Sequence, residues 1–148
     1  ASWSVNEAEF FVLAPKGKEK SENNASIVIW AKFGGLKWLF TGDLEEEGEK
    51  ILVEAYPDLQ VDVLKVAHHG SNTSSIESFL NVIQPRVAII SVGKQNRYGH
   101  PHKEVIERFE KMGSAIWRTD KQGAISYVFK GENGTFKSKI TYDKTHNR

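Results

Sequence analysis

The 148-residue chain has no cysteine, which excludes disulfides, thiolate metal sites and a cysteine nucleophile and leaves ligation by histidine and carboxylate open. It also has almost no net charge. Lys and Arg number 20 against 19 Asp and Glu, a formal +1, so the surface is not uniformly basic and any nucleic-acid contact has to be local. Long hydrophobic runs are missing as well: the apolar stretches are of strand length, against roughly 20 residues for a bilayer-spanning helix, and no charged-then-apolar leader opens the chain. The segment as given is therefore expected to be soluble. It shows no internal repeat, low-complexity tract or linker. With 39% hydrophobic residues, the expectation is one domain over residues 1–148 with its own core, residues 143–148 forming a polar tail.

What is present is a regular alternation of elements. Residues 9–14 read as a strand, and residues 15–24 as a polar, charged loop without apolar periodicity, expected to be mobile. Residues 25–33 and 36–41 are apolar runs around Gly34-Gly35, a two-residue hairpin signal because glycine accepts positive φ at both central positions. Between Leu44 and Ala55, the apolar Leu44, Ile51, Leu52 and Ala55 share one helical face, with Glu45, Glu46, Glu47, Glu49 and Lys50 elsewhere. That helix stops near Pro57. Residues 61–66 form the next strand, and Ser74-Ser75-Ile76-Glu77 gives a capping-box pattern for a helix running to about Ile83, ended by Pro85. Residues 87–91 are a short apolar strand. Val105, Ile106, Phe109 and Met112 then define the buried stripe of a helix with Pro101 in its first turn and Gly113 at its close. Residues 115–119, 124–130 and 135–142 read as strands, with turns at 120–123 and at Glu132-Asn133-Gly134. This order implies an α/β layered domain with a mixed sheet.

Chemistry-bearing residues follow the central strands. Thr41-Gly42-Asp43 ends one, Lys65-Val66-Ala67-His68-His69-Gly70-Ser71 ends the next, and Gly99-His100-Pro101-His102 opens the third helix. Active sites of α/β sheets lie at the carboxyl ends of strands, and one Asp with two separated histidine groups there has the composition of part of a metal site. Each has a plainer reading. Asp43 stands where a helix N-cap belongs, with acidic residues behind it that suit the helix dipole. A His-His pair before Gly-Ser can be a polar turn, and His100 can cap the helix behind it. Ser71, Asn72, Thr73, Ser74 and Ser75 either cradle a phosphate at a helix amino terminus or cap that helix. Lys94, Arg97, Arg118 and Lys121 lie near the proposed mouth, where they could position a nucleic-acid backbone or simply be solvated. His102 is expected to be exposed and His146 to belong to the tail. Trp3, Trp30, Trp38 and Trp117 fall mostly in strands, where core packing is the default rather than base stacking.

Taken in order, Thr41-Gly42-Asp43-Leu44, a helix, Leu64-Lys65-Val66-Ala67-His68-His69-Gly70-Ser71, Ser91-Val92-Gly93 and Gly99-His100-Pro101-His102 resemble the metallo-β-lactamase superfamily. Within it the chain is most similar to the carboxy-terminal domain of ComEC-type competence proteins, which internalise DNA during natural transformation. Trp38-Leu39-Phe40-Thr41-Gly42-Asp43-Leu44-Glu45, Asn96-Arg97-Tyr98-Gly99-His100-Pro101 and Arg118-Thr119-Asp120-Lys121-Gln122-Gly123-Ala124-Ile125 carry that likeness, which extends over residues 4–129. It implies the carboxy-terminal portion of an αββα sandwich and a site for two divalent cations, Zn²⁺ or Mn²⁺. Asp43 and His69 are then metal ligands. His68 contacts substrate phosphate or transfers protons and His100 lines the catalytic cleft; Ser71, Asn72, Thr73, Lys94 and Arg97, by their position at that mouth, are the expected substrate-binding residues.

One departure matters. The family's amino-terminal half carries a His-x-His-x-Asp-His motif, or His-x-Asp-x-Asp-His in this subgroup, and neither string occurs in the chain. A two-metal site needs those ligands as well, so the chain is expected to be the later part of a larger metal-hydrolase domain and inactive alone. The resemblance implies metal-dependent hydrolysis of DNA phosphodiesters by the complete domain, which would be the soluble part of an integral membrane protein on the outer face of the bacterial cell membrane. DNA, the rest of the membrane channel and other competence proteins are the partners it implies. The alternative is a non-catalytic domain that guides DNA into the channel through backbone contacts, and a metal-free α/β binding domain is the plainest reading of all.

Overall fold

The computed structural model describes residues 1–15, 17 and 21–139. Seven strands form one sheet in sequential order: β1 (Ser2–Val5), β2 (Ala8–Ala14), β3 (Val28–Phe33), β4 (Leu36–Phe40), β5 (Val63–Lys65), β6 (Val87–Ile90) and β7 (Ala115–Arg118). β1 to β4 pair antiparallel and β4 to β7 pair parallel, which is the expected mixed sheet. The parallel part is built by crossovers through α1 (Glu46–Ala55), α2 (Glu77–Ile83) and α3 (Lys103–Lys111), since parallel neighbours cannot be joined by a tight turn. A short helix α4 (Thr119–Gln122) then leads to a separate antiparallel hairpin of β8 (Ala124–Lys130) and β9 (Asn133–Lys139).

The central strands are apolar on both faces because both faces are covered. Leu39, Leu64 and Ala88 stand in one row across β4, β5 and β6 and pack with Leu52, Phe79, Ile83, Val105 and Phe109 from the helices. The alternate row, Trp38, Val63 and Val87, faces the other way and joins Phe33, Phe40, Ile89, Tyr127 and Phe136. Trp38 takes an edge-on contact from Tyr127 at 5.2 Å and stacks on Phe33 at 4.7 Å. Gly34 and Gly35 turn the β3–β4 hairpin at φ 57° and 74°. A Cβ on Gly34 would lie 2.6 Å from the Tyr127 ring, so the same residue admits the second hairpin.

Several expectations need correction. β1 has no counterpart in the sequence reading, where a four-residue strand of alternating serine and apolar residues gave too little signal. In the loop before β3, residues 21–26 are tied by backbone bonds from Ala25 to Ser21 and from Ser26 to Asn23, and Asn24 is only 5% exposed. The α1 face is not the one expected: Gly48, Glu49 and Leu52 are buried, while Ile51 and Ala55 are exposed. Asp43 does not cap α1, whose N-cap position is Glu45. Nor does a capping box start α2: its N-cap position is Ile76 and no side chain of the Ser71 to Ser75 stretch caps it. Pro101 lies ahead of α3 rather than in its first turn. The last hairpin turns at Gly131-Glu132, with Asn133 and Gly134 already in β9. The end of the expected strand 135–142, and His146, lie outside the described residues.

Candidate metal centre

Three loops leave the carboxyl ends of β4, β5 and β6 side by side, because these strands are parallel neighbours. Backbone bonds stitch them together. The His68 N–H donates to the Gly42 carbonyl at 3.0 Å, and the His102 N–H donates to the Gly70 carbonyl at 2.9 Å. Thr41 donates its hydroxyl to the Lys65 carbonyl at 2.8 Å. Gly70 has φ 84°, and a Cβ there would meet Pro101 at 2.5 Å, so only glycine lets the second and third loops approach this closely.

Residues His68 and His69 both adopt left-handed backbone, at φ 46° and 56°. Two adjacent non-glycine residues in this region are strained, and the turn sends their rings to different carboxylates. His69 places Nε2 3.9 Å from Asp43 Oδ1, both side chains about half exposed. Its Nδ1 lies 2.7 Å from the Ser91 carbonyl oxygen. A carbonyl can only accept, so Nδ1 carries a proton, and in the neutral imidazole Nε2, on the Asp43 side, is then the nitrogen left with a lone pair. That is how a metal-binding imidazole is usually oriented. Asp43 is itself held, its N–H donating to Ser26 Oγ at 3.0 Å. Lys65 lies below it, its ammonium donating to the Val66 carbonyl at 2.9 Å; burial lowers the Lys65 pKa and the charge of Asp43 opposes that shift.

Alongside, His68 points its Nδ1 at Glu45, 3.6 Å from Oε1. That nitrogen is enclosed and makes no hydrogen bond. Glu45 also accepts from Asn23 Nδ2 at 3.1 Å and Thr73 Oγ1 at 3.3 Å. The third loop brings His100 to His68, ring centroids 5.7 Å apart, and to His102 at 5.0 Å. Burial holds the His100 pKa below its ordinary value, with His102, His68 and His69 adding to the effect. Asn96 braces this loop, accepting from the His100 N–H and donating to the His100 and Gly93 carbonyls. Its outer side presents Lys94 and Arg97, both exposed, and Tyr98, 78% exposed and stacked on His100.

Thus Asp43, His68, His69 and His100 converge. Asn72 and Thr73 are exposed at the same edge, whereas Ser71 is buried. His102, expected in solvent, is half-buried and accepts the Asn72 N–H on Nδ1 at 3.2 Å. Arg118 is not free for a phosphate, because a two-pronged contact with Asp120 occupies it and draws the Asp120 carboxyl below its ordinary range. Sequence reasoning missed Glu45 and Ser91, which face the His68 and His69 rings, Ser26, which accepts the Asp43 backbone N–H, and Asn24, whose Oδ1 accepts from the Glu45 and Gly48 N–H groups at the start of α1. All act across 17 or more residues of sequence, so no local pattern announces them.

The profile of the metallo-beta-lactamase superfamily matches residues 20–94, a stretch that contains Asp43, His68 and His69. The chain belongs to that superfamily. The chain is similar to "ComE operon protein 3" of Bacillus subtilis (strain 168), 44% identical over 140 residues, or 94% of this chain and 18% of that protein. "Competence protein ComA" of Neisseria gonorrhoeae is 39% identical over 127 residues, 84% of this chain and 18% of the relative. "Recombination protein 2" of Haemophilus influenzae is 36% identical over 128 residues, 86% of this chain and 16% of the relative. The chain therefore spans less than a fifth of the length of these relatives.

The superfamily implies divalent metal, and the donor set in this chain fits part of such a site. Asp43 and His69 face each other with the imidazole in the ligating tautomer. Among the described residues, however, no group of three or more His, Cys, Asp and Glu side chains is placed to hold an ion. No helix among them is long and apolar enough to cross a membrane.

Proposed function

We propose that this chain is part of a metal-dependent phosphodiesterase acting on DNA in a DNA-uptake protein of the ComEC type. The observation that carries the proposal is the His69 imidazole, fixed on one side by the Ser91 carbonyl and facing the Asp43 carboxylate on the other. Asp43 and His69 supply this chain's share of a Zn²⁺ or Mn²⁺ site. A hydrolytic ion takes three protein ligands and leaves a position for water, so the remaining donors come from outside the described residues. A divalent cation so placed supplies Lewis acidity and a water-derived nucleophile at neutral pH.

The chain's own residues then have separate tasks. His68, oriented by Glu45 and touching His100, moves a proton to or from the reacting phosphate ester. His100, with its pKa held down, remains neutral near pH 7 and can accept a proton or a hydrogen bond. Asn72 and Thr73 offer polar groups to the phosphate, with Ser71 holding Thr73 through its hydroxyl at 3.0 Å. Lys94 and Arg97 track the adjacent backbone without reading sequence. The names of the relatives, one referring to a ComE operon, one to competence and one to recombination, support a part in DNA uptake, and the same reading places the segment beside a membrane channel, facing the outside of the cell.

The test belongs in the longer protein to which the proposal assigns this segment. Asp43→Ala and His69→Ala should lose bound metal and reduce metal-dependent DNA cleavage by about a thousandfold or more, whereas His68→Ala should keep the metal and lose about 10²–10⁴-fold in rate. Metal content measured beside cleavage separates these roles. Full activity in all three variants would overturn the reading. If His68→Ala loses the metal while His69→Ala keeps it, the roles within the pair are reversed.

A second reading is a DNA-guiding domain without catalysis, favoured by the absence of a three-donor group among the described residues. It predicts DNA binding that survives Asp43→Ala but weakens when Lys94 and Arg97 are replaced.

A further inference from the structure

We propose that Glu49 and Arg108 are positioning residues: together they clamp the backbone of Ser74, Ser75 and Ile76, and through it fix the three loops of the site relative to one another. Glu49 is fully buried, at 0% exposure. One carboxylate oxygen accepts the Ser75 N–H at 2.6 Å and the other accepts the Ile76 N–H at 2.9 Å. From the opposite side Arg108 Nη1 donates to the Ser74 carbonyl at 3.1 Å and the Ser75 carbonyl at 3.0 Å. One short stretch of chain thus has its donors taken by a carboxylate and its acceptors by a guanidinium. Charged partners make these hydrogen bonds stronger than neutral ones.

The clamp matters because of what each arm is attached to. Glu49 belongs to α1, which begins three residues after Asp43. The clamped stretch continues the loop that carries His68 and His69. Arg108 belongs to α3, which begins three residues after His100. Two further bonds run between the first and second of these units: Ser74 donates its hydroxyl to the Leu44 carbonyl at 2.7 Å, and the Glu46 N–H donates to the Thr73 carbonyl at 2.8 Å. A serine or aspartate cap on α2 would satisfy the same N–H groups but hold only its own helix. A carboxylate reaching in from α1 satisfies them and ties two loops together.

Two observations show that the arrangement is held against a cost. Ser75 sits at φ 59°, a backbone region that serine adopts only under constraint. Burial also pushes the Glu49 carboxyl up to about 7, despite the two backbone bonds and the charge of Arg108, with Glu46 adding to the rise.

This proposal rests on the placement of Asp43, His69 and His100 in one site and not on the reaction performed there, so its test reads geometry and needs no cleavage. Glu49→Gln keeps the shape but offers one acceptor and sets an amide donor against the other N–H; Arg108→Lys keeps the charge but loses the planar fork. Long-range proton–nitrogen NMR of the imidazoles in the chain would report the tautomer of His69 and the ring environments of His68 and His100. Ile83→Val, a core change on α2 outside the clamp, serves as the control for loss of stability. We expect both clamp variants to shift the His69 and His100 signals and to speed exchange of the Ser75 and Ile76 amides by about tenfold or more, with the control leaving the imidazoles unmoved. Wild-type imidazole spectra in Arg108→Lys, or in Glu49→Gln where it folds, would overturn the proposal whatever happens to Tm, because the clamp would then only stabilise. That result would leave the phosphodiesterase reading standing, and loss of the phosphodiesterase reading would leave the clamp standing.

Discussion

Two carboxylates six residues apart divide the site into a mouth and a floor. Asp43 is half exposed and faces an imidazole 3.9 Å away, while Glu49 is sealed under the same loops and spends both oxygens on backbone N–H groups. The mouth keeps polar groups incompletely satisfied: His68 Nδ1 has no hydrogen bond, and Lys94, Arg97 and Tyr98 project outward. On the floor the clamped backbone is bonded from both sides, although the Ser75 hydroxyl is left without a partner. Unsatisfied groups at a mouth are available to a ligand; satisfied groups beneath it keep the mouth in shape.

The largest expected effect that tests this contrast is on stability. Glu49→Ala strips the acceptor from the Ser75 and Ile76 N–H groups beneath the loops, which should cost about 2–5 kcal/mol. Asp43→Ala removes a half-exposed carboxylate whose charge offsets the burial of Lys65, and should cost less, about 1 kcal/mol. Urea unfolding of the two variants beside wild type measures both. Equal losses would erase the distinction between mouth and floor.

A smaller effect follows from the raised carboxyl of Glu49. Its folded pKa of about 7 lies above the ordinary value of 4.5, so between those pH values the folded chain binds a proton that the unfolded chain has released. Stability therefore falls as pH rises through that window, by at most about 3.5 kcal/mol at roughly 1.4 kcal/mol per unit. Below pH 4.5 both states are protonated and this contribution is flat. Arg108 and Glu46 are the charged groups acting on Glu49; Arg108 stays charged throughout, and the bond from Lys50 holds the Glu46 carboxyl below its ordinary value of 4.5, so that Glu46 is largely charged across the window. Glu49→Gln should flatten the profile: the difference in Tm between variant and wild type should widen in favour of the variant from pH 5 to pH 8. Parallel profiles would show that the carboxylate is charged throughout and that its partners fully offset its burial.

The mouth was far more legible in the sequence than the floor. Residues 36–41, 61–66 and 87–91 are continuous aliphatic or aromatic runs, and a parallel sheet covered on both faces reads that way, so the strands that deliver Asp43 and His69 were identified within one or two residues. Their convergence followed from β4 and β5 being neighbours. Glu49 was hidden for the opposite reason. A helical wheel assigns glutamate to water, and here a glutamate lies on the buried face because its partners, 26 and 27 residues away, satisfy it. The capping-box pattern at Ser74 misled because those N–H groups were already taken from another helix. Asn24 went unnoticed in a stretch read as a mobile loop, although its side chain bonds the first turn of α1.

The smallest expected effect probes strain at the mouth itself. His68 and His69 both hold positive φ, a conformation costing a side-chain-bearing residue about 1–2 kcal/mol that glycine largely avoids. His68→Ala loses the ring and keeps the strained backbone, whereas His68→Gly loses the ring and releases it, at some cost in unfolded-state entropy. The glycine variant should therefore be more stable than the alanine variant by about 0.5–1 kcal/mol, reversing their usual order. The comparison is internal, since both lack the contacts to Glu45 and His100, so it isolates the backbone term. Thermal unfolding of the pair at one pH reads it directly. An alanine variant at least as stable as the glycine one would mean that the turn relaxes to ordinary φ once the ring is gone. In that case the contacts of the His68 ring with Glu45 and His100, and not the floor beneath them, hold the turn.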